Sequence, residues 1–194
     1  MLSAEEVRGI LQETGAVQEG HFLLSSGLHS PVYVQCALVF QHPRQAGRLG
    51  AEMAALFAGE KIDVVISPAV GGIVTGQEVA RALGARAVFA EREEGIMRLR
   101  RGFRIRPGER VLVADDVMTR GGSVRETLGV VRESDGRAVG IAVVVDRSGG
   151  DLDWEVDLRS LLRMQAVTYP PEDCPLCRDQ LPLVKPGSRK QETP

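Results

Sequence analysis

Cysteine is scarce in this 194-residue chain: there are three, with Cys36 alone and Cys174 and Cys177 sharing one C-x-x-C. An odd count so arranged gives no disulfide framework and suits a reducing cytoplasm. Apolar runs long enough to span a membrane are missing as well. No basic stretch followed by an apolar core opens the chain, so no secretory signal is expected. Charge of one sign is not in excess either; a formal net charge of −2 argues against general nucleic-acid binding. Internal repeats and low-complexity segments are lacking. What is present is an ordinary hydrophobic fraction of 43%, on a length suited to a single domain over 1–194 with a sizeable core.

The pattern along the chain is that of an α/β protein. Ser3 and Glu6 form a capping box ahead of Val7, Ile10 and Leu11 at helical spacing, and this helix should end near Thr14 and Gly15. From Phe22 to Phe40, β-favouring residues mix with Ser25, Ser26, Gly27 and Pro31, which predicts a small strand-and-loop subdomain beside the main core. A helix is expected from Arg44 to Phe57. Short apolar runs then alternate with helical stretches: Ile62 to Ile66, a helix ending near Leu83 and Gly84, Ala87 to Ala90, Val111 to Ala114, a helix through Val131, and Val139 to Val145. Continuous apolar strands separated by helices imply a mostly parallel sheet flanked by helices on both faces. Ligands of such sheets bind at the carboxyl ends of strands. Residues 185–194, with Pro186, Gly187 and Lys190, read as a loose tail.

The segment V-L-V-A-D-D-V-M-T-R-G-G-S-V, Val111 to Val124, carries the most chemistry. A buried strand ends in Asp115 and Asp116; Thr119, Arg120, Gly121, Gly122 and Ser123 follow, and a helix begins. Glycines let an anion approach closely, the turn's N–H groups and the helix dipole attract it, and Thr119 and Ser123 add hydroxyl donors. The spacing is not that of a Walker loop. Ionised carboxylates can accept short hydrogen bonds from adjacent hydroxyls of a ribose. Read blandly, the segment is an acidic strand end before an ordinary helix cap. It resembles the signature of the type I phosphoribosyltransferases. That resemblance implies a fold with a small N-terminal hood, here about residues 16–40, and phosphoribosyl diphosphate held by Asp115, Asp116 and the stretch Val117, Met118, Thr119, Arg120, Gly121, Gly122 and Ser123.

Four further segments resemble the orotate phosphoribosyltransferases. S-P-A-V-G-G-I, Ser67 to Ile73, matches the diphosphate loop; Gly71 and Gly72 can offer N–H groups where many members carry a lysine. G-H-F-L-L-S-S-G-L-H-S-P-V-Y-V, Gly20 to Val34, matches the base-covering segment, with Tyr33 against the pyrimidine and Ser25 where a lysine is common. Asp146-Arg147 matches the family's D-R pair, and Arg147 could clamp a planar carboxylate through two parallel hydrogen bonds. By the family pattern Thr119 would also touch orotate. E-R-E-E-G-I-M-R-L-R-R-G-F-R-I-R, Glu91 to Arg106, alternates Met97, Leu99, Phe103 and Ile105 with arginines, which predicts a two-sided ribbon. The family places a mobile basic loop here. Arg92 matches its first arginine, Glu93 stands where a lysine is usual, and Arg98, Arg100 or Arg101 would replace the missing lysines. Each segment also has a plainer reading, as a βα turn, a loop with a core tyrosine, an exposed arginine and a solvated ribbon.

The tail C-P-L-C-R-D-Q-L-P-L-V-K-P-G-S-R resembles that of one prokaryotic branch. Cys174 and Cys177 could be half of a zinc site, but no second pair is visible in the sequence, so the pair reads as a structural turn. The resemblance implies Mg²⁺-dependent transfer of ribose 5-phosphate to orotate in a homodimer whose basic loop acts across the interface. It implies no dedicated protein ligand for Mg²⁺, and neither nucleic acid nor membrane as partner. Rival readings are an enzyme for xanthine or uracil and a regulator on the same fold.

Overall fold

Valine and isoleucine dominate the central strands because every side chain there is covered by protein. In the computed structural model, which describes residues 1–24, 26–150, 152–165 and 167–186, six strands form one sheet. They are β3 (Val64–Pro68), β4 (Arg86–Glu93), β5 (Ile96–Leu99), β6 (Arg110–Met118), β7 (Arg137–Asp146) and β8 (Asp157–Arg163). Their order is β5-β4-β3-β6-β7-β8, parallel throughout except for the antiparallel β4–β5 hairpin.

The alternation of side chains splits the interior into two cores. Val65, Leu112, Ala114, Ala142 and Val144 face α1 (Ala4–Glu13), α3 (Pro43–Ala55) and α4 (Gly72–Leu83). Val64, Ile66, Val111, Val113, Ile141 and Val143 face α5 (Gly122–Glu133), which buries Val124, Leu128, Val130 and Val131 against them. The phase changes at Asp115 and Asp116: Val117 packs with the first core and Met118 with the second. A short helix, α2 (Ala37–Phe40), precedes α3, and the expected capping box is present at Ser3 and Glu6.

A separate two-stranded antiparallel ribbon, β1 (Val17–Leu23) and β2 (His29–Val34), lies within the predicted hood. The C-terminal segment crosses this ribbon, with backbone bridges Phe22↔Val184 and His29↔Tyr169 and a single-turn helix, α6 (Pro175–Arg178), between them. Ser25 and residues 187–194, the greater part of the predicted tail, lie outside the described residues.

Three expectations need correction. Strand β6 runs four residues past Ala114, because the parallel partner β7 continues to Asp146 and pairs Asp115 with Val143 and Met118 with Asp146. The ribbon predicted over Glu91–Arg106 is shorter: β5 stops at Leu99, and Arg101 and Gly102 take positive φ values of 56° and 76°, which turn the chain. Phe103 then stacks edge-on against Phe89 at 5.0 Å, and Ile105 is buried. Finally, β8 has no counterpart among the expected strands. It is the sheet's edge and mostly half-buried, so it shows no apolar run.

Candidate active site

The carboxyl ends of β3, β6 and β7 and the hood ribbon converge on Asp115 and Asp116. Asp115 Oδ1 accepts from the Asp116 N–H at 2.9 Å, and Asp116 Oδ1 accepts from the Val117 N–H at 2.8 Å. Burial, then the neighbouring Asp116 charge, pushes the Asp115 carboxyl well above the usual carboxylate range. Burial raises Asp116 too, against the lowering effect of the Val117 N–H. Such a pair is short of donors, and hydroxyls of a bound polyol would supply them.

The β3–α4 turn abuts this pair. A Cβ on Gly71 would come within 3.3 Å of Asp116 Oδ2, and one on Gly72 within 2.9 Å of Asp115 Oδ1. Any larger residue at Gly72 would therefore press on the carboxylate. The backbone there is left open to an anion, at the N-terminus of a 12-residue helix with no capping side chain.

On the other side of the acids, the chain leaves β6 through Thr119 and Arg120, both exposed, and turns into α5 at Gly121. Gly121 is left-handed, φ 69°, and a Cβ on it would meet the Trp154 ring at 2.6 Å. Both backbone and space demand glycine. No side chain caps α5 at its N-terminus, so Gly122 and Ser123 start a helix whose first N–H groups are free for a phosphate.

Arg147 follows β7 directly. Its N–H bonds the Met118 carbonyl at 2.8 Å, which ties it to the end of β6. The guanidinium has only a long 3.5 Å contact, from Nη2 to the Val32 carbonyl, and its buried Nε has no partner among the described residues. Burial lowers its pKa, an effect that the Tyr33 hydroxyl opposes. Tyr33 in turn is raised by burial and by Asp116 and lowered by Arg147. The three groups therefore share one electrostatic neighbourhood, with the Tyr33 ring 5.7 Å from Phe22.

The arginines of the β4–β5 region that form ion pairs do so with carboxylates other than Asp115 and Asp116. Arg92 pairs with Glu126 of α5 at 2.6 Å; Arg100 lies 3.1 Å from Glu93, and Arg101 makes two 3.0 Å bonds to Glu91. Arg98 is exposed and has no ion pair among the described residues. A groove of about 310 Å³ between this hairpin and α5 is lined by Ile96, Met97, Glu126 and Val130.

Two residues that serve this site gave no signal in the sequence. Trp154 stands behind Gly121, yet it lies in the polar stretch Asp153–Glu155. Cys36 lies beneath the acids, buried, with its thiol pushed well up by burial and by the charges of Asp116 and Asp115.

Comparison with known proteins places this geometry in a family. A model described as the phosphoribosyl transferase domain matches residues 39–172. The orotate phosphoribosyltransferase of Pelotomaculum thermopropionicum is 57% identical over 189 residues, which is 97% of this chain and 100% of that protein. That of Thermoanaerobacter sp. is 51% identical with the same coverage. The crystal structure of the Aeropyrum pernix orotate phosphoribosyltransferase superposes with a TM-score of 0.68 at 26% identity, over 81% of this chain and 93% of that one.

Proposed function

The chain belongs to the orotate phosphoribosyltransferases, and from that premise we propose how its residues carry out the transfer. The reaction is a pentosyl transfer: ribose 5-phosphate passes from 5-phosphoribosyl 1-diphosphate to orotate, giving orotidine 5′-monophosphate and diphosphate in pyrimidine biosynthesis. Asp115 and Asp116 accept the ribose hydroxyls, and the turn from Val117 through Ser123 receives the 5-phosphate. Gly71 and Gly72 offer main-chain N–H groups to the diphosphate. As the bond from the anomeric carbon to diphosphate breaks and that carbon bonds to a ring nitrogen of orotate, the ribose ring gains positive charge beside two carboxylates, which offset it. Tyr33 and the hood, residues 16–40, cover the base, and Thr119 stands at the sugar-to-base junction.

Choice of base rests on Arg147. A half-buried guanidinium whose buried Nε has no partner among the described residues supports recognition of a ligand carboxylate, which orotate has and uracil lacks. An all-oxygen donor set suits a hard cation that keeps its waters, so Asp115 and Asp116 fit Mg²⁺ through such waters and no direct protein ligand is assigned. When bound, Mg²⁺ would supply positive charge to offset that of the leaving diphosphate.

The basic hairpin serves a second copy in a homodimer. Within the chain Arg92, Arg100 and Arg101 bond to Glu126, Glu93 and Glu91, not to the acid pair, while Arg98 faces outward on the edge strand. The compartment that suits Cys36, Cys174 and Cys177, none of them in a disulfide, is the cytoplasm. No helix among the described residues is long and apolar enough to cross a membrane.

The test is diphosphate release with Mg²⁺ and orotate, uracil or xanthine. Orotate should be the substrate. Arg147→Ala should raise the KM for orotate about 10- to 100-fold, the value of one charge-assisted contact, and leave that for the sugar diphosphate nearly unchanged. Turnover of uracil but not orotate, or equal loss for both substrates, would reject the assignment.

A further inference from the structure

Two of the chain's three histidines and two of its three cysteines meet at one point in the hood, remote in sequence and absent from the mechanism above. His21 begins the buried part of β1, His29 opens β2, Cys174 stands at the N-terminal cap of α6, and Cys177 lies within its single turn. His21, His29 and Cys174 are buried. One donor atom from each lies within 4.8 Å of every other. Individual separations are 3.6 Å from Cys174 Sγ and 3.7 Å from Cys177 Sγ to His21 Nε2, and 3.3 Å from Cys177 Sγ to His29 Nδ1.

Those distances have a specific meaning. Four ligands arranged tetrahedrally at zinc bond lengths, about 2.0–2.1 Å to nitrogen and about 2.3 Å to sulfur, stand roughly 3.3–3.8 Å from one another. The nitrogen pair, His21 Nε2 and His29 Nδ1, is closer at 2.8 Å, so an ion would part the rings by roughly half an ångström. The histidine tautomer is already set. His21 Nδ1 lies 2.9 Å from the Leu181 carbonyl, which can only accept, so the proton sits on Nδ1 and Nε2 turns its lone pair to the centre.

The geometry points to a structural Zn²⁺ site, Cys₂His₂, made by His21, His29, Cys174 and Cys177. The second ligand pair that Cys174 and Cys177 lack in sequence comes from histidines about 150 residues earlier, as the separation of 153 between Cys174 and His21 records. Two thiolates balance the ion's charge, and four protein ligands leave no open position for substrate. The fold explains the need. A two-stranded ribbon is marginal by itself. Here the C-terminal segment straps it on both sides of the cluster: His29 and Tyr169 exchange backbone bonds of 2.8 and 2.9 Å, and Val184 bonds Leu23 and His21 at 2.8 Å each. An ion at the crossing would fasten strap to ribbon. This inference does not depend on which base the enzyme uses.

Metal content of the full chain, purified under reducing conditions from zinc-supplemented cells, tests it. One zinc per chain is expected, falling to background in Cys174→Ser/Cys177→Ser. Replacement of the ion by Co²⁺ in the native sequence should give the intense visible bands of tetrahedral cobalt with a thiolate charge-transfer band. That arm is independent of how the variant folds. Chelation should lower Tm. A reduced protein that isolates without zinc and binds Co²⁺ without those bands would overturn the site, leaving a hydrogen-bonded cluster of side chains. Full zinc retention in the double serine variant would overturn it too, by placing the ion elsewhere.

Discussion

Asp115 and Asp116 stand where the sheet's dry interior gives way to the cleft, and their raised pKa values have a measurable consequence. A carboxyl whose pKa is higher folded than unfolded contributes stability that is complete below the unfolded value of about 3.9 and lost as pH rises through the folded one. At neutral pH the unliganded pair therefore works against the fold. Asp115→Asn/Asp116→Asn should abolish most turnover, by about a hundredfold or more. It should also melt about 2–4 °C higher at neutral pH, equivalent to about 1 kcal/mol at this size. Thermal scans across pH would show the gap closing toward pH of about 4. A variant less stable than the parent at neutral pH would show that burying the two charges is not what costs the fold stability. The acids and Gly121 were legible because their chemistry is local: a strand, two carboxylates and a glycine turn occupy one stretch of chain. Trp154 was not, since it reaches the turn from a distant loop.

Among the elements, α3 and α4 pack closely together, with Gly50 at their contact. A Cβ on Gly50 would lie 2.6 Å from Glu78 Cβ and 2.8 Å from its carbonyl carbon. Alanine gains about 1 kcal/mol of helix propensity over glycine, whereas overpacking against backbone costs about 1–3 kcal/mol. The contact should prevail, so Gly50→Ala is expected to lose up to about 2 kcal/mol in urea unfolding. A more stable variant would mean that the helices part freely. Helical periodicity announced α1, α3, α4 and α5, and valine runs announced β3, β6 and β7. The β4–β5 hairpin was only half legible. Alternation of apolar residues continues to Ile105, but the positive φ of Arg101 and Gly102 breaks the pairing first. Edge strand β8, with little to bury, leaves no periodic trace.

For the molecule as a whole, the mostly parallel sheet with helices on both faces followed from alternation of buried runs and helices, whereas the strand order β5-β4-β3-β6-β7-β8 did not. The meeting of strap and ribbon had no such signal: its partners are joined by the path of the chain, and only two cysteines with two residues between them hinted at it. Another long-range meeting bears on experiment. The chain's one tryptophan backs onto the phosphate turn, its ring 2.6 Å from where a Gly121 Cβ would stand, under the Arg125 guanidinium at 4.7 Å. All indole emission therefore originates beside the turn proposed to receive the 5-phosphate, and the unlabelled enzyme would carry its own optical gauge of occupancy. Adding phosphoribosyl diphosphate should shift or quench that emission saturably, with the midpoint matching calorimetry. Unchanged light during calorimetrically proven binding would reveal a turn that the ligand enters without disturbing.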